Sequence, residues 1–474
     1  MKETMTKAGP DLGTMFEGLR KQYLAQPHPG LGERKSLLTS MLRGLKEREE
    51  ALLTALHKDL GKSEPEARLT EFFPVRKEIQ FMRGHLADWM RPERVSTPLQ
   101  LLGTRSEILP QPKGVVLVIA PWNFPFLLTI KPVIAAIAAG NRVVVKPPEH
   151  TPETSRLMAE WLRSSLPPEW VQVVLGGPED AAALTAMPFD HIFFTGGTVT
   201  GRKVMMAAAE NLTPVTLELG GKSPAIIDVS VSPQSVASRI AWGKGLNAGQ
   251  VCIAPDYLLV EKPAADAVVK AIIDRWNFCY SGDAASSEEY GRIINDAQFD
   301  RLVSTLEDAI EKGARVLHGG RHDRTTRFME PTILMDVTQD MRVMQEEVFG
   351  PLLPVLTWED ASEPPKLISE VKDHPLSMYI FTKNRRRLRM WLEMTRSGTV
   401  GVGETVVQIA NPELPFGGIQ ASGMGRTNGK AAFDVLSNRR SIIRKRWPIS
   451  SVPISYPPFG PAKAALVRWM SRYL

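Results

Sequence analysis

Two side chains suited to covalent catalysis lie in short segments of distinctive composition. Glu218 lies in PVTLELGGKSP, residues 214–224, and Cys252 lies in NAGQVCIAPDY, residues 247–257. A cysteine thiolate can attack a carbonyl carbon and form a covalent intermediate. A carboxylate can then activate the water molecule that releases the product. The two residues are therefore a candidate nucleophile and a candidate general base.

The surroundings of both residues favour a chemical role. Most free cysteines are small buried hydrophobes, but Cys252 follows Gly249 and Gln250 and precedes Pro255, as expected for a loop. Because an ordinary cysteine has a pKa of about 8.5, we expect the site to stabilise the thiolate. Glu218 lies between leucines at a strand end, where partial burial would make it a base near neutral pH. The alternative for Glu218 is a capped or salt-bridged carboxylate.

A glycine-rich segment, TGGTVTG at 195–201, directly follows the apolar residues 191–194. Glycines at a strand-to-helix turn let backbone amides approach a phosphate, and the N-terminus of the following helix favours negative charge. The segment is not the GxGxxG dinucleotide motif, so an ordinary tight turn remains the alternative.

Polar side chains also follow two other predicted strands. Lys146 ends one strand and Glu149 lies just beyond it, where sheets of this type form a crevice for nucleotides. A carboxylate there can accept hydrogen bonds from ribose hydroxyls, and the alternative is a surface ion pair. Asn123 lies in the loop PWNFP, residues 121–125. Its amide can donate to an oxyanion that forms only during a reaction, or it can satisfy its own turn.

These residues require a scaffold of helices and strands that brings them together. Residues from about 14 to 90 have the apolar periodicity and dense charge of helices. From 114 to about 219, helical segments alternate with short apolar runs, which are residues 115–120, 142–146, 171–174 and 191–194. This alternation is typical of a parallel sheet covered by helices on both faces, and the predicted fold class is α/β.

A second alternating block extends from about 225 to 411, with candidate strands at 257–261, 352–356 and 377–382. Two further candidate strands, 105–109 and 441–444, lie outside both blocks. A chain of 474 residues is too long for one small core, so two or three domains are expected.

The composition is that of a soluble globular protein, with 43% hydrophobic and 23% charged residues. The net charge of +6 is explained more simply by solubility than by an acidic partner. The two cysteines, Cys252 and Cys279, argue against a disulfide framework, and Cys279 fits a structural position in a helix. The first residues lack the apolar core of a secretory signal, so we expect a cytoplasmic protein. No zinc-site spacing occurs, and no metal is predicted.

Together these segments resemble the aldehyde dehydrogenase superfamily, in particular its class 3 branch. The resemblance extends from the N-terminal helices to about residue 446. SGMG at 422–425 and GKAAFD at 429–434 are similar to class 3 in particular. The motifs that carry the wider resemblance are PWNFP at 121–125, LELGGKSP at 217–224, GQVCIAPDY at 249–257, EEVFGP at 346–351 and PFGG at 415–418.

The resemblance implies NAD(P)-dependent oxidation of an aliphatic or aromatic aldehyde to the carboxylic acid. The route implied is a cysteine thiohemiacetal and then a thioester, with Cys252 as nucleophile, Glu218 as general base and Asn123 as oxyanion donor. NAD is the expected cofactor, since the Glu149 carboxylate would repel the 2′-phosphate of NADP. NADP is also possible. The implied cofactor-binding residues are Trp122, Lys146, Glu149, Gly177, Thr195, Gly196, Gly197, Thr198, Gly201, Leu219, Glu347 and Phe349.

The resemblance also implies the domain organisation. A Rossmann-type NAD(P)-binding domain would comprise residues 1–93 and 113–219, and an α/β catalytic domain residues 220–411. Residues 94–112 and 430–446 would form a β oligomerisation arm that joins two subunits into a homodimer. Residues 447–474 would form a C-terminal tail.

The chain departs from the class 3 pattern at four places. Pro148 and Gly197 stand where serines are usual. Gly-Glu at 403–404 stands where the family has Asn-Asp, and Thr-Asn at 427–428 replaces Tyr-His. These departures concern mainly the substrate side of the predicted site.

Other functions remain open from the sequence. A catalytically silent protein on the same fold would not need Cys252, Glu218 and Asn123 together, and all three are present. A cofactor-independent thiol esterase would use the same nucleophile and base, and ester turnover without aldehyde oxidation would favour it. The basic residues at 439–446 could contact nucleic acid, but a solvated edge strand explains them more simply. We therefore predict no nucleic-acid partner.

The C-terminal segment has the pattern of an amphipathic helix. Leu466, Trp469, Met470 and Tyr473 share one helical face. Such a helix could make weak contact with a membrane surface, cover the substrate entrance or dock onto the protein body.

Overall fold

The computed structural model describes residues 11–371, 374–448 and 451–473. The helices are α1 (Leu12–Ala25), α2 (Leu31–Leu60), α3 (Glu64–Ala67), α4 (Phe73–Trp89), α5 (Pro125–Ala139), α6 (Pro152–Ser165), α7 (Pro178–Thr185), α8 (Thr198–Ala209), α9 (Pro233–Gly245), α10 (Ala265–Cys279), α11 (Asp296–Glu311), α12 (Arg342–Gln345), α13 (Glu363–Glu370), α14 (Arg385–Met394), α15 (Gly429–Val435) and α16 (Pro461–Tyr473). The strands are β1 (Glu93–Val95), β2 (Thr104–Pro112), β3 (Val115–Ile119), β4 (Arg142–Lys146), β5 (Val171–Val173), β6 (His191–Thr195), β7 (Val215–Glu218), β8 (Pro224–Ile227), β9 (Tyr257–Glu261), β10 (Arg315–His318), β11 (His322–Asp323), β12 (Phe328–Met329), β13 (Thr332–Met335), β14 (Leu352–Trp358), β15 (Ser377–Phe381), β16 (Thr399–Val402), β17 (Gly423–Met424) and β18 (Ser437–Lys445).

The first large sheet has the order β17-β7-β6-β3-β4-β5. Strands β3 to β7 pair in parallel, and β17 pairs antiparallel with β7. All residues of β3 and β4 are buried, as expected for strands covered by helices on both faces. The four strands predicted between residues 114 and 219 are confirmed, each to within one residue at its ends. Their carboxyl ends share one edge of the sheet, so the segments that follow them meet there.

The second large sheet has the order β10-β13-β14-β9-β8-β15-β16. The strands predicted at 257–261, 352–356 and 377–382 are confirmed as β9, β14 and β15. Strand β7 ends at Glu218 in the first sheet, and β8 begins at Pro224 in the second. The LELGGKSP segment therefore crosses from one sheet to the other, which places Glu218 between them. The predicted α/β class, with two parallel-sheet units, is confirmed.

A third sheet, β1-β2-β18, is antiparallel, with β18 at its edge among the described strands. It contains both strands predicted outside the two blocks, as parts of β2 and β18. Residues 430–435, which the sequence assigned to the arm, lie in α15, and that helix packs against α4 and α5. The arm strand therefore begins later, at Ser437. The domain boundaries themselves stay a prediction.

The N-terminal residues are helical as predicted, and α2 and α4 pack against α5. Cys279 is exposed at the last residue of α10, so it is not a buried structural residue. It lies beyond Trp276, the last buried position of that helix. The predicted C-terminal helix is present as α16, with Leu466 and Trp469 exposed by 41% and 54%. Among the described helices, none is both long enough and apolar enough to cross a bilayer.

Candidate active site

A cavity of about 570 Å³ lies where the segments from the two large sheets meet. Asn123, Glu218 and Cys252 all line it, although they are far apart in the chain. Asn123 follows β3, Glu218 ends β7, and Cys252 lies in the loop between α9 and β9. The structure therefore brings together the three side chains that the sequence nominated for catalysis.

Cys252 lies in a tight loop with unusual backbone geometry. Asn247, Ala248 and Gly249 have φ angles of 48°, 52° and 76°, in the left-handed region. A side chain at Gly249 would collide with the backbone carbonyl of Gly350, so only glycine lets the loop approach the EEVFGP segment this closely. The loop presents Cys252, which is partly exposed, at the cavity wall.

The expectation that the site stabilises the Cys252 thiolate is wrong. Burial raises the pKa of the thiol to about 12, and the Glu347 and Glu218 carboxylates raise it further. Two backbone N–H groups, of Cys252 and Ile253, oppose this without reversing it. Since a low-dielectric wall and two acidic neighbours disfavour the thiolate, the sulfur needs a proton acceptor when it reacts.

Glu218 is only 6% exposed, and neither carboxylate oxygen has a hydrogen-bond partner among the described residues. The capped or salt-bridged alternative is therefore wrong. Burial raises the pKa of Glu218 to about 8, and the positive charges of Arg426 and Lys131 partly offset that increase. A carboxylate with free lone pairs and a pKa near neutrality is suited to accept a proton from water.

The amide of Asn123 is fixed by contacts with the cysteine loop. Its Nδ2 donates to the carbonyl of Gln250 at 3.1 Å. Its backbone carbonyl accepts from Lys62 Nζ and Asn247 Nδ2, each at 2.9 Å. Because an amide nitrogen carries two hydrogens, one remains for the cavity. The alternative in which Asn123 satisfies its own turn is wrong, since its partner belongs to a distant loop.

The cavity wall includes seven of the twelve predicted cofactor-binding residues, which are Trp122, Thr195, Gly196, Gly197, Leu219, Glu347 and Phe349. Among the described residues, the other five do not line this cavity. They are Lys146, Glu149, Gly177, Thr198 and Gly201.

The glycine-rich turn has the geometry of an anion site. Gly197 caps the N-terminus of α8 without a side-chain hydrogen bond. A side chain at Gly196 would collide with the ring of Phe194, and the position at Gly197 is open. Gly196, Gly197, Val199 and Thr200 line the cavity, so the N-terminus of α8 lies at its wall, where the helix dipole favours a phosphate.

Aromatic and acidic groups also line the cavity. The rings of Trp122 and Phe349 meet edge to face, with centroids 5.3 Å apart. A side chain at Gly220 would collide with the Glu347 carboxylate, so that carboxylate packs directly on the backbone after β7. Burial, with Asp256 nearby, raises the pKa of Glu347 to about 8.

The five predicted residues outside the cavity wall have identifiable local contacts. Lys146 and Glu149 form an ion pair with each other. The backbone N–H of Gly177 donates to Asp180 at 2.9 Å. The hydroxyl of Thr198 donates to the carbonyl of Ala421 at 3.1 Å, and a side chain at Gly201 would collide with Leu219. Gly201 therefore lets α8 pack closely on the end of β7.

Sequence reasoning did not nominate several residues that complete the cavity. Lys131 could have been nominated for the site from the sequence, because it is the one charged residue of the apolar helix α5. Asn428 was noted only as a departure from a pattern. The remaining wall residues that were not nominated include Leu128, Val199, Thr200, Leu376, Ile409, Phe416 and Thr427. Their side-chain types did not distinguish them in the sequence, because apolar and hydroxyl residues are common throughout the chain.

Comparison with known proteins agrees with this geometry. The model of the aldehyde dehydrogenase family matches residues 21–442. Aldehyde dehydrogenase family 3 member B2 of Mus musculus is 40% identical over 463 residues, 98% of this chain and 95% of that protein. The substrate-bound structure of Staphylococcus aureus AldH has a TM-score of 0.92 and 37% identity, covering 97% of this chain and 99% of that one. The P. syringae indole-3-acetaldehyde dehydrogenase AldA, in complex with NAD+, has a TM-score of 0.83 and 27% identity, covering 91% and 88% of the two chains.

The chain belongs to the aldehyde dehydrogenase family, a class of oxidoreductase enzymes. Within that family its similarity to family 3 members places it in the class 3-like branch.

Proposed function

We propose that Cys252, Glu218 and Asn123 carry out the NAD(P)-dependent oxidation of an aldehyde to its carboxylic acid. The observation that carries the proposal is their convergence on one cavity. Each contributes a different function: a sulfur nucleophile, a carboxylate without hydrogen-bond partners and an amide with a free hydrogen.

Acylation begins when Cys252 Sγ attacks the aldehyde carbon. The thiol passes its proton to the Glu347 carboxylate as the C–S bond forms, because its raised pKa leaves little thiolate beforehand, and Glu347 later releases that proton to solvent. The Asn123 amide and a backbone N–H donate to the new oxyanion. A bound nicotinamide would supply the hydride acceptor for the resulting thiohemiacetal. The enzyme then carries a thioester on Cys252.

Deacylation uses Glu218 as the base. Glu218 accepts a proton from a water molecule as the water oxygen attacks the thioester carbon. The C–S bond breaks, the carboxylic acid leaves, and the thiolate takes the proton from Glu218, which restores both the thiol and the carboxylate. Asn123 again donates to the oxyanion formed in this step.

The wall of the cavity fits a dinucleotide. Gly196 and Gly197 lie at the N-terminus of α8, where the helix dipole would favour a phosphate, and Glu347 and Phe349 would hold the nicotinamide ribose and ring. We assign Lys146 and Glu149 to the adenosine ribose, at the carboxyl end of β4. NAD is the cofactor we expect, with NADP as the alternative. The complex of the P. syringae relative with NAD+ supports this assignment.

The substrate half of the cavity is mainly apolar, with Leu128, Leu376, Ile409 and Phe416 in its wall. Aliphatic or aromatic aldehydes are the expected substrates. The test is a panel of such aldehydes, each assayed with NAD and with NADP and without coenzyme A. Steady NAD(P)H production supports the proposal. Hydrolysis of esters without any NAD(P)H production would favour the thiol esterase instead.

The rate of thioester hydrolysis should rise as the pH passes through about 8. Glu218 accepts a proton only as the carboxylate, and burial raises its pKa to about 8. Well below this pH, the carboxylate fraction and hence the rate should increase about tenfold per pH unit, before reaching a plateau at higher pH. Stopped-flow measurement of single turnovers over a pH series checks this. A rate that is flat between about pH 6 and 9 contradicts the role of Glu218 as base.

We also propose that the third sheet joins two subunits into a homodimer. Its edge strand β18 has an open side among the described strands, and Ile443 on that strand is 56% exposed. The unpaired backbone groups of an edge strand can pair with a second copy of the chain. The charged residues of the strand form ion pairs such as Arg439 with Glu93 at 2.7 Å, which favours a protein partner over nucleic acid.

Replacing Ile443 by aspartate should shift the protein from dimer to monomer. The charge would be buried in the proposed interface, where desolvation without a partner is unfavourable. Light scattering after size-exclusion chromatography measures the effect. The matched control is Ile310→Asp, an isoleucine 47% exposed on α11, which should leave the mass unchanged. An Ile443 variant with the wild-type mass would contradict the role of the arm.

The C-terminal helix α16 supports a separate proposal about contact with a membrane surface. Leu466 and Val467 are exposed by 41% and 38%. Such a helix can contact a membrane surface without crossing it. We propose a cytoplasmic enzyme whose α16 makes weak surface contact of this kind.

A further inference from the structure

One buried charge in the cavity wall has no role in the steps described so far. Every residue of α5 except Leu128 is buried, and Lys131 is its one charged side chain. Lys131 is 8% exposed and lines the cavity with Glu218 and Asn428. Burial of an ammonium group is costly unless surrounding groups compensate it. An apolar residue would suit this helix better if packing were the only requirement.

The ammonium of Lys131 is held in one place by two neighbouring segments. Its Nζ donates to Asn428 Oδ1 at 2.5 Å and lies 3.9 Å from Glu78 Oε2. The other Glu78 oxygen accepts the backbone N–H of Gly429 at 3.0 Å. The amide nitrogen of Asn428 donates to the carbonyl of Ile409 at 3.1 Å. Asn428, where the chain departs from the class 3 pattern, is thus the direct acceptor of this lysine.

Two cationic side chains lower the pKa of Glu218, and they belong to different elements of the fold. Arg426 belongs to the loop after β17, and its guanidinium donates to the carbonyls of Gly418 and Gly425 at 2.6 and 2.8 Å. Lys131 acts from α5. The strand β17 pairs with β7 at Glu218 through Gly423, which carries no charge. The Cys252 thiol, whose pKa is raised, lies near Glu218 on the cysteine loop.

We propose that Lys131 is a positioning residue for the hydrolytic step: its fixed ammonium keeps Glu218 in the charged form that accepts a proton from water. The inference rests on the proposed role of Glu218 as general base. Neither carboxylate oxygen of Glu218 has a hydrogen-bond donor among the residues that the structure describes, so stabilisation of its charge must come through space. Arg426 and Lys131 are the two cations that do so, and both lower the pKa of Glu218 against the effect of burial.

The test removes the charge of Lys131 while keeping its shape. Lys131→Gln retains a donor for Asn428, Lys131→Met retains the chain length, and Lys131→Arg retains the charge. In the two neutral variants, Glu218 should be protonated up to a higher pH. The pH profile of thioester hydrolysis should therefore shift upwards by about one unit, with about tenfold slower steady turnover below the wild-type apparent pKa. The first burst of NADH should persist, because acylation precedes this step.

Lys131→Arg should keep the wild-type profile, which separates a charge effect from loss of packing. Thermal unfolding of each variant reports packing independently, and KM reports substrate contacts. The proposal is overturned if a neutral variant that folds has the same pH profile as Lys131→Arg. Two neutral variants are included so that poor folding of one leaves the other to decide. The Glu218→Gln variant separates this result from failure of the proposed function, since it tests the base itself.

Discussion

Cys252→Ala should abolish aldehyde oxidation, with a loss of about 10⁴-fold or more in turnover of every aldehyde in the panel. No covalent intermediate can form without the sulfur, because the only other cysteine, Cys279, is exposed on α10. NAD(P)H formation measures the loss. Mass spectrometry of the wild-type enzyme, quenched during turnover, should detect the acyl group on the peptide that contains Cys252.

Cys279→Ala is the matched control for this variant. It removes an exposed thiol away from the cavity, so turnover should stay within about twofold of wild type. Calorimetric titration of NAD should give similar affinities for both variants, because neither substitution removes a group assigned to the cofactor. A Cys252→Ala enzyme with more than about a tenth of wild-type turnover would rule out the proposed nucleophile.

Glu218→Gln should separate the two halves of the reaction. Glutamine has nearly the same shape as glutamate but cannot accept the proton of water, so hydrolysis of the thioester should fall by about 10³-fold. The enzyme should still produce NADH once per active site and then stall as the acyl-enzyme. Stopped-flow kinetics measure the burst and the steady rate in one experiment. Accumulated thioester should be visible by mass spectrometry.

An exposed glutamate supplies the control for Glu218→Gln. Glu210 follows the last turn of α8 and is exposed, so Glu210→Gln should turn over normally. Steady turnover of Glu218→Gln at the wild-type rate would exclude Glu218 as the base. Glu347 would then be the alternative, since it also lines the cavity and burial raises its pKa to about 8.

The buried ion pairs of the structure explain why the catalytic loops hold their positions. Lys62 and Glu71 are both fully buried and pair at 2.6 Å. Lys62 also donates to the carbonyl of Asn123, and Glu71 accepts the backbone N–H groups of Phe126 and Leu127 at 3.1 and 2.8 Å. The pair thus links the PWNFP loop to the start of α5. Because removing one partner leaves an uncompensated buried charge, either partner is expected to be sensitive to substitution.

A second buried pair connects two of the sequence motifs. Lys222 of LELGGKSP pairs with Asp256 of GQVCIAPDY. Lys222 also donates to the carbonyls of Val343 and Glu346 at 2.8 and 2.9 Å. The segments that carry the base, the nucleophile and the EEVFGP turn are therefore tied together by one lysine.

Local patterns in the sequence predicted the strands and the residues proposed for catalysis. Strands such as β3 and β4 were predictable because buried parallel strands are continuous apolar runs. Cys252, Glu218 and Asn123 were predictable because their side-chain chemistry is distinctive and their neighbours favour loops and strand ends. The two-residue strand β17 and the helix α15 were not predictable, since both depend on contacts with distant segments.

Only the tertiary structure decided the electrostatics of the site. The sequence favoured a stabilised thiolate at Cys252, but burial and the carboxylates of Glu347 and Glu218 raise the pKa of that thiol instead. Likewise, Lys131 could be seen as a lone charge in an apolar helix, but not its contacts with Glu78 and Asn428. Residue types and spacing are local properties of the chain. Desolvation and charge interactions depend on distances in space, and those exist only once the two sheets close around the cavity.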